Sequence, residues 1–343
     1  MANKYILAAD IGATKTDIGL FCALDGNLQR VVVQRFASCG EVEFLHRVKD
    51  FLAAQLSSGI LRAACFGVAG PVVAGRVEAT NLGLKLDEKS LRKELSCPQL
   101  FLVNDLFATA AAIPTLESRD FAILQIGDDT NINSGSPVAI MAPGTGLGMA
   151  FLLGGEKLNI LASEGGHADF APRDEAEVEL WRYLKKRFGR VSCERLLSGP
   201  GLVNIFDWLK NREAAGGSNR VDISGLSHTE LGGAEVVAAA AAGDRVALAA
   251  ISYFTAILGG VAGDLVLSGM AAGGLCLAGG IPGKIINYLR QGQFINAFNA
   301  KGRMSNWIKQ VPVKVVLNQE TALLGAAWIA LDRSANQQKF RGL

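Results

Sequence analysis

Twice along this chain a short apolar run breaks at a turn of small residues and resumes as a second strand-like run. Residues 5–10 are apolar, 12–15 are turn-like, and 16–22 continue in β-branched and apolar residues. Residues 138–142, 143–148 and 149–153 repeat that pattern, though not its letters. Two strand-turn-strand hairpins, each opening one half of a 343-residue chain, predict a duplicated α/β architecture. The length agrees, because a single core rarely organises more than about 250–300 residues. Two domains are therefore expected.

The remaining pattern fills in around the hairpins. Asp25-Gly26-Asn27 signals a second turn, with a third strand at 31–36. Over 41–56 the apolar residues Val42, Leu45, Val48, Phe51, Leu52 and Leu56 have helical spacing. Residues 61–68 and 100–103 are short and apolar throughout, as buried parallel strands are. The second of these stops at Asn104-Asp105, before an alanine-rich helix. Further helices are expected at 175–187, 201–210, 234–242, 245–267 and 321–331, and strands at 275–278 and 313–317.

Composition narrows the partners. Forty glycines, roughly 12% against a usual ~7%, cluster at a few turns without a collagen-like period, so backbone must approach something closely there. Thirty-four basic against 32 acidic residues leave +2, which argues against nucleic acid and against a polybasic membrane anchor. Six cysteines lie tens of residues apart with no C-x-x-C and three histidines, so they read as buried thiols of a reducing cytosol and not as a zinc site. The first apolar run is stopped by Asp10, too early for a signal-peptide core. Two uncharged runs, 246–263 and 265–283, are long enough for a membrane span. Glycine pairs at Gly259-Gly260, Gly273-Gly274 and Gly279-Gly280 break them, and they read as a buried helix followed by a buried strand.

Two phosphate motifs are absent despite partial likeness. Gly283-Lys284 lacks the first glycine of a P-loop and the following Ser or Thr. Gly144 to Gly148 has Met149 where a dinucleotide fingerprint needs its third glycine, and its flanks read strand-turn-strand. What remains is Ala9, Asp10, Ile11, Gly12, Ala13 and Thr14 at one hairpin and Gly144, Thr145 and Gly146 at the other. Small residues with exposed N–H groups and a threonine hydroxyl wrap phosphate oxygens, and a carboxylate at a strand end holds Mg²⁺ through water. Gly279-Gly280, after a buried strand, leaves backbone room for a flat group such as adenine. Asn104-Asp105 sits where α/β sheets place ligands, although a helix N-cap would also explain it. In Glu164-Gly165-Gly166-His167 two glycines let an ionisable pair face one small polar ligand, and Asp169 and Arg173 continue the polar loop. Glu194 is expected to open a helix.

Together these residues resemble the bacterial glucokinase family, within the sugar kinase, Hsp70 and actin superfamily. The resemblance runs through "ADIGAT", "FGVAGPV", "TNLG", "LVNDL", "APGTGLG", "SEGGHADFAP", "ERLLSGPGL", "LAGGI", "KGRM" and "LLGAAW". It implies two ribonuclease-H-like α/β domains of the actin-like ATPase fold with a ligand cleft between them, a small one at 1–115 plus 319–343 and a large one at 116–318. It implies ATP-dependent phosphorylation of glucose with Mg²⁺, in a cytoplasmic homodimer. Carried onto these positions, Asp105 would be the base on the sugar 6-hydroxyl, and Asn81, Asn104, Glu164, His167 and Glu194 would hold the other hydroxyls. The two hairpin turns would hold the phosphates, Asp10 the Mg²⁺ through water, and Gly279-Gly280 the adenosine. The family's first loop usually reads Gly-Gly-Thr; here Ala13 takes the second place and Lys15 follows the threonine, as in the ROK branch. Leu84-Lys85 stand where an aromatic residue is frequent, and the zinc-binding cysteines of the ROK branch are missing, so no structural metal is expected. A kinase for another hexose, such as mannose or N-acetylglucosamine, and a non-catalytic sugar sensor are the alternatives.

Overall fold

The computed structural model describes residues 4–24, 27–56, 59–79, 83–127, 135–154, 159–216 and 232–340. They fall into two compact units, one of Met1–Glu117 with Asn318–Leu343 and one of Ser118–Leu317. Asp25, Gly26 and Asn81, expected at a turn and at the sugar, lie outside the described residues.

Three antiparallel strands open the first unit: β1 (Lys4–Ile11), β2 (Lys15–Leu24) and β3 (Asn27–Ala37). Helix α1 (Glu41–Gln55) then leads to β4 (Ile60–Val68), parallel to β1. A small hairpin, β5 (Arg76–Ala79) with β6 (Leu84–Asp87), precedes α2 (Glu88–Glu94), β7 (Leu100–Asn104) and α3 (Asp105–Ala112). The five-stranded sheet has the order β3-β2-β1-β4-β7. Parallel neighbours require crossovers, and α1 and α2 supply them. Phe44 of α1 meets Phe66 of β4 edge-to-face at 5.7 Å, both buried. The C-terminal helix Thr321–Phe340 returns to this unit and packs on α3. At that crossing Gly325 lies directly on the Ala108 carbonyl, leaving no space for a β-carbon.

The second unit contains β8 (Phe121–Gln125), β9 (Val138–Pro143), β10 (Leu147–Leu153) and β11 (Asn159–Ser163). Helices α4 (Glu175–Phe188), α5 (Gly199–Gly216), α6 (Gly233–Ala241) and α7 (Arg245–Ser268) follow, then β12 (Gly274–Leu277) and β13 (Val313–Val316). Its sheet runs β11-β10-β9-β12-β13-β8. The first five positions repeat the first unit: an antiparallel trio, then two parallel strands. Strand β8 is an addition at the edge, antiparallel to β13. Asp174 and Asp244 cap α4 and α7 by accepting the backbone N–H groups of Glu177 and Ala247. In α7, which is apolar enough to cross a membrane, 67% of the most apolar window is buried inside the protein, so it is a core helix.

Several elements were not anticipated. β5 and β6 have four residues each, with charges on alternate positions, too short a run for periodicity to register. Edge strand β8 exposes Ile123, and α2 is seven mostly charged residues. Helix α5 starts at Gly199 and reaches Gly216, beyond the expected 201–210, because Gly-Pro-Gly fits a first turn whose N–H groups need no helical partner. The final helix likewise continues past 331 to Phe340. Glu194 does not open a helix: it stands on a 3-10 turn, Cys193–Arg195, three residues before α5.

Candidate active site

In the first unit, two carboxylates lie near the ends of β1 and β7, the strands on either side of β4. Asp10 is the last residue but one of β1, and its β4 neighbour is Gly67. Gly67 also pairs with Val103 of β7, and a β-carbon there would stand 3.3 Å from Ala108 Cβ and 3.7 Å from the Asp105 Cα. Absence of that β-carbon lets the start of α3 lie against the sheet beside Asp10. Asp105 is the first residue of α3. Its Oδ1 accepts the Leu106 N–H at 2.8 Å. The N-cap is Asn104, whose Oδ1 accepts from Leu106 N at 2.9 Å and Phe107 N at 3.3 Å, while Nδ2 donates to the Gly70 carbonyl at 3.1 Å. The cap reading of this dipeptide is therefore correct for Asn104.

Electrostatics follow from that crowding. Burial pushes the Asp10 carboxyl up to about 7, helped by the negative charges of Asp105 and Asp17 and opposed by Lys15 and Arg35. Burial also raises Asp105, against the hydrogen bonds from the Leu106 N–H and Asn104 that favour its ionised form. Asp17 lies directly across from Asp10 in the β1–β2 register. It is 2% exposed and held by the Arg35 guanidinium at 2.6 and 2.9 Å. This ion pair was missed, although hairpin register alone places a second acid opposite Asp10 and so calls for a cation. The turn itself is braced: Gly12 N donates to Lys15 O at 3.0 Å, and Ser38 donates its N–H to Thr14 O and its hydroxyl to Gly12 O. Ala13 and Thr14 are left exposed at its tip.

The second unit assembles the other group. In the β9–β10 turn, Gly144 N donates to Gly146 O at 2.8 Å and Thr145 is exposed. The end of β12 runs beside it, with Gly279 at φ +83° against the Pro143 carbonyl and Gly280 facing open space. Thus Gly144, Thr145, Gly146, Gly279 and Gly280 share one corner. The loop Glu164–Asp169 turns through Gly165–His167, where Gly166 sits on the Leu147 carbonyl with no room for a side chain. His167 lies 3.9 Å from a Glu164 oxygen through Nε2 and 3.8 Å from Glu194 Oε1 through Nδ1. Glu164, His167 and Glu194 are therefore neighbours; the sequence pattern pairs the first two, and the family resemblance adds Glu194.

Backbone bonds hold this arrangement. Phe170 N donates to Val191 O, and Cys193 N donates to Ala168 O, zipping the two polar segments together. Arg190, which no motif pointed to, donates to Asp169 Oδ1 at 2.6 Å and to the His167 carbonyl at 2.8 Å. Arg173 pairs with buried Glu177 and rests on Gly260 of α7. Glu194 Oε2 accepts the Leu147 N–H at 3.0 Å, and Gly199 N donates to Gly144 O at 2.8 Å.

Comparison with known proteins identifies the family and the fold. Residues 7–333 match the family model described as Glucokinase. A glucokinase of Nostoc punctiforme is 36% identical over 341 residues, covering 95% of this chain and 98% of its own. Among solved structures, a glucokinase from an Antarctic psychrotroph superposes with a TM-score of 0.80 at 31% identity, over 95% of this chain and 98% of that one. A ROK family glucokinase from Streptomyces griseus, solved with glucose and AMPPNP, shares the fold with a TM-score of 0.63 at 20% identity, over 95% and 99%.

Proposed function

The chain belongs to the glucokinase family and is an ATP:D-glucose 6-phosphotransferase, and on that premise we propose how its residues divide the reaction. Phosphoryl transfer to a hydroxyl needs positioning, neutralised phosphate charge and a carboxylate to take the proton. Asp105 is that base, accepting the proton of the sugar 6-hydroxyl as the hydroxyl oxygen attacks the γ-phosphorus and the bond to the leaving ADP breaks. The observation that carries the assignment is the Asp105 carboxyl itself, raised by burial and seated at a helix start beside Asp10. A base whose pKa is lifted toward the working pH transfers protons better than an ordinary carboxylate.

Glucose hydroxyls are held by Glu164, His167 and Glu194, with Asn104 and Asn81. Asn104 has its amide oxygen engaged in capping, so it serves as a donor through the second N–H of Nδ2. The turns at Gly12–Thr14 and Gly144–Gly146 carry the phosphates of ATP, and Gly279-Gly280 the adenosine. That a relative of this fold holds glucose and an ATP analogue together supports the pairing. Asp10, a carboxylate raised by burial that feels the charge of Asp105, offers oxygen and negative charge of the kind a hard divalent cation takes, and would hold Mg²⁺ through water. When bound, the cation neutralises charge developing on the transferred phosphoryl group. We place the enzyme in the cytosol, where six free thiols are stable, as a homodimer; a solution mass near the 36.1 kDa of one chain would refute the dimer.

Asp105→Asn tests the central role. It should bind glucose as the native enzyme does in calorimetry, while kcat falls ~10²–10⁴-fold. Near-native turnover would remove Asp105 from the mechanism.

A further inference from the structure

We propose that Glu194 ties the sugar loop to the second phosphate turn, so that Gly146, a residue of the nucleotide turn, controls how tightly glucose is held. The proposal rests on the reading of His167 and Glu194 as sugar ligands. The two carboxylate oxygens of Glu194 face different ways: Oε1 lies 3.8 Å from His167 Nδ1, and Oε2 accepts the Leu147 N–H at 3.0 Å. Leu147 is the first residue of β10, directly after the turn. A β-carbon on Gly146 would stand 2.6 Å from Glu194 Oε2, a distance no side chain tolerates.

Gly146 is not in the left-handed region, so its backbone does not require glycine. A side chain there would instead push the Glu194 carboxylate aside. Gly144, two residues earlier in the same turn, also has an ordinary backbone, yet a β-carbon there meets nothing within 4 Å. One glycine of the turn is thus shaped by Glu194 and the other is not. The segment after Glu194 grips the turn a second time, through Gly199 N on Gly144 O. Ser198 makes that segment stiff, donating its hydroxyl to Glu194 O at 2.8 Å and accepting from Gly201 N at 3.0 Å. Movement of the Glu194 carboxylate and movement of the turn are therefore one event, and any preference glucose has for one position of Glu194 is transmitted to the turn, and the reverse.

The experiment is glucose binding by calorimetry to the full-length protein with no nucleotide present. Gly146→Ala should weaken glucose about tenfold or more, the effect of displacing one hydrogen bond to a charged group. Gly144→Ala should stay within about twofold of the native protein, since both alanines carry the same intrinsic cost and only one meets the carboxylate. Equal glucose affinities for the two alanine variants would overturn the link. Should Gly146→Ala fail to fold, hydrogen exchange of the native protein decides: glucose alone should slow the Leu147 amide, and an unchanged rate would overturn the proposal. His167→Ala separates the premises. If it weakens glucose while Gly146→Ala does not, the link alone is wrong; if both leave binding unchanged, the sugar assignment falls with it.

Discussion

Asp10 carries an ionisable cost that depends on pH. Its carboxyl titrates near 3.8 in an unfolded chain and at about 7 in the folded one, so the folded protein binds the extra proton between those values. Stability from this group is full below about pH 4, declines as pH rises toward 7, and stays at its lower level above. Each pKa unit corresponds to about 1.4 kcal/mol. Asp10→Asn should therefore stabilise the ligand-free protein by about 2–4 kcal/mol at pH 8 and by almost nothing at pH 4. Urea unfolding at both pH values checks this, and a pH-independent difference would contradict the origin of the shift. Glu194 was marked only by the family resemblance, whereas Asp10, Asp105, Glu164 and His167 stood out because ionisable residues beside glycines or at strand ends are few. Arg190 and Gly67 did not, since an arginine on an exposed loop and a glycine within an apolar run carry no local mark; only the folded chain shows them against His167 and Asp105.

Helix α3 aims Asp105, and the C-terminal helix fixes α3. Their contact is backbone against backbone, with Gly325 on the Ala108 carbonyl. Gly325→Ala must push the helices apart, and overpacking of this kind costs about 1–3 kcal/mol. Because α3 begins with Asp105, the proposed base, kcat should fall as well, with the KM for ATP little changed. Denaturation and steady-state kinetics on this variant test both, and native stability with native kcat would show that the contact yields without moving Asp105. The major helices and the buried strands were legible because their apolar periodicity spans many residues. The short elements were not: β5, β6 and α2 obtain their order from neighbours, as when Glu88 of α2 accepts the Leu102 N–H of β7. Glu194 was misread as a helix start for a related reason. Leu196 and Leu197 are both fully buried, and consecutive core residues hold that stretch as a tight turn until Gly199.

The two sheets repeat one another in strand order, and both glycine turns join corresponding strands, β1 to β2 and β9 to β10. That duplication was readable because each hairpin keeps an apolar run on both sides of a small-residue turn. The added strand β8 was not, having no counterpart in the first half. The proposed sugar ligands belong to both units, Asn104 and Asp105 to one and Glu164, His167 and Glu194 to the other. A single glucose should therefore slow hydrogen exchange in peptides from both units, and protection confined to one would break the assignment. The first unit is also discontinuous in sequence, and this bears on how the molecule is made. A ribosome adding about 5–20 residues per second needs roughly 10–40 s to produce the second unit, Ser118–Leu317, before Gly325 and its helix appear. Through that interval β1, β4 and α3 lack the helix that covers them, and the second unit becomes complete in sequence before that helix is made. The order of maturation on the ribosome is thus reversed: the half whose translation begins first finishes last, and Asp105, the proposed base, is set in place only once Gly325 and its helix have been made.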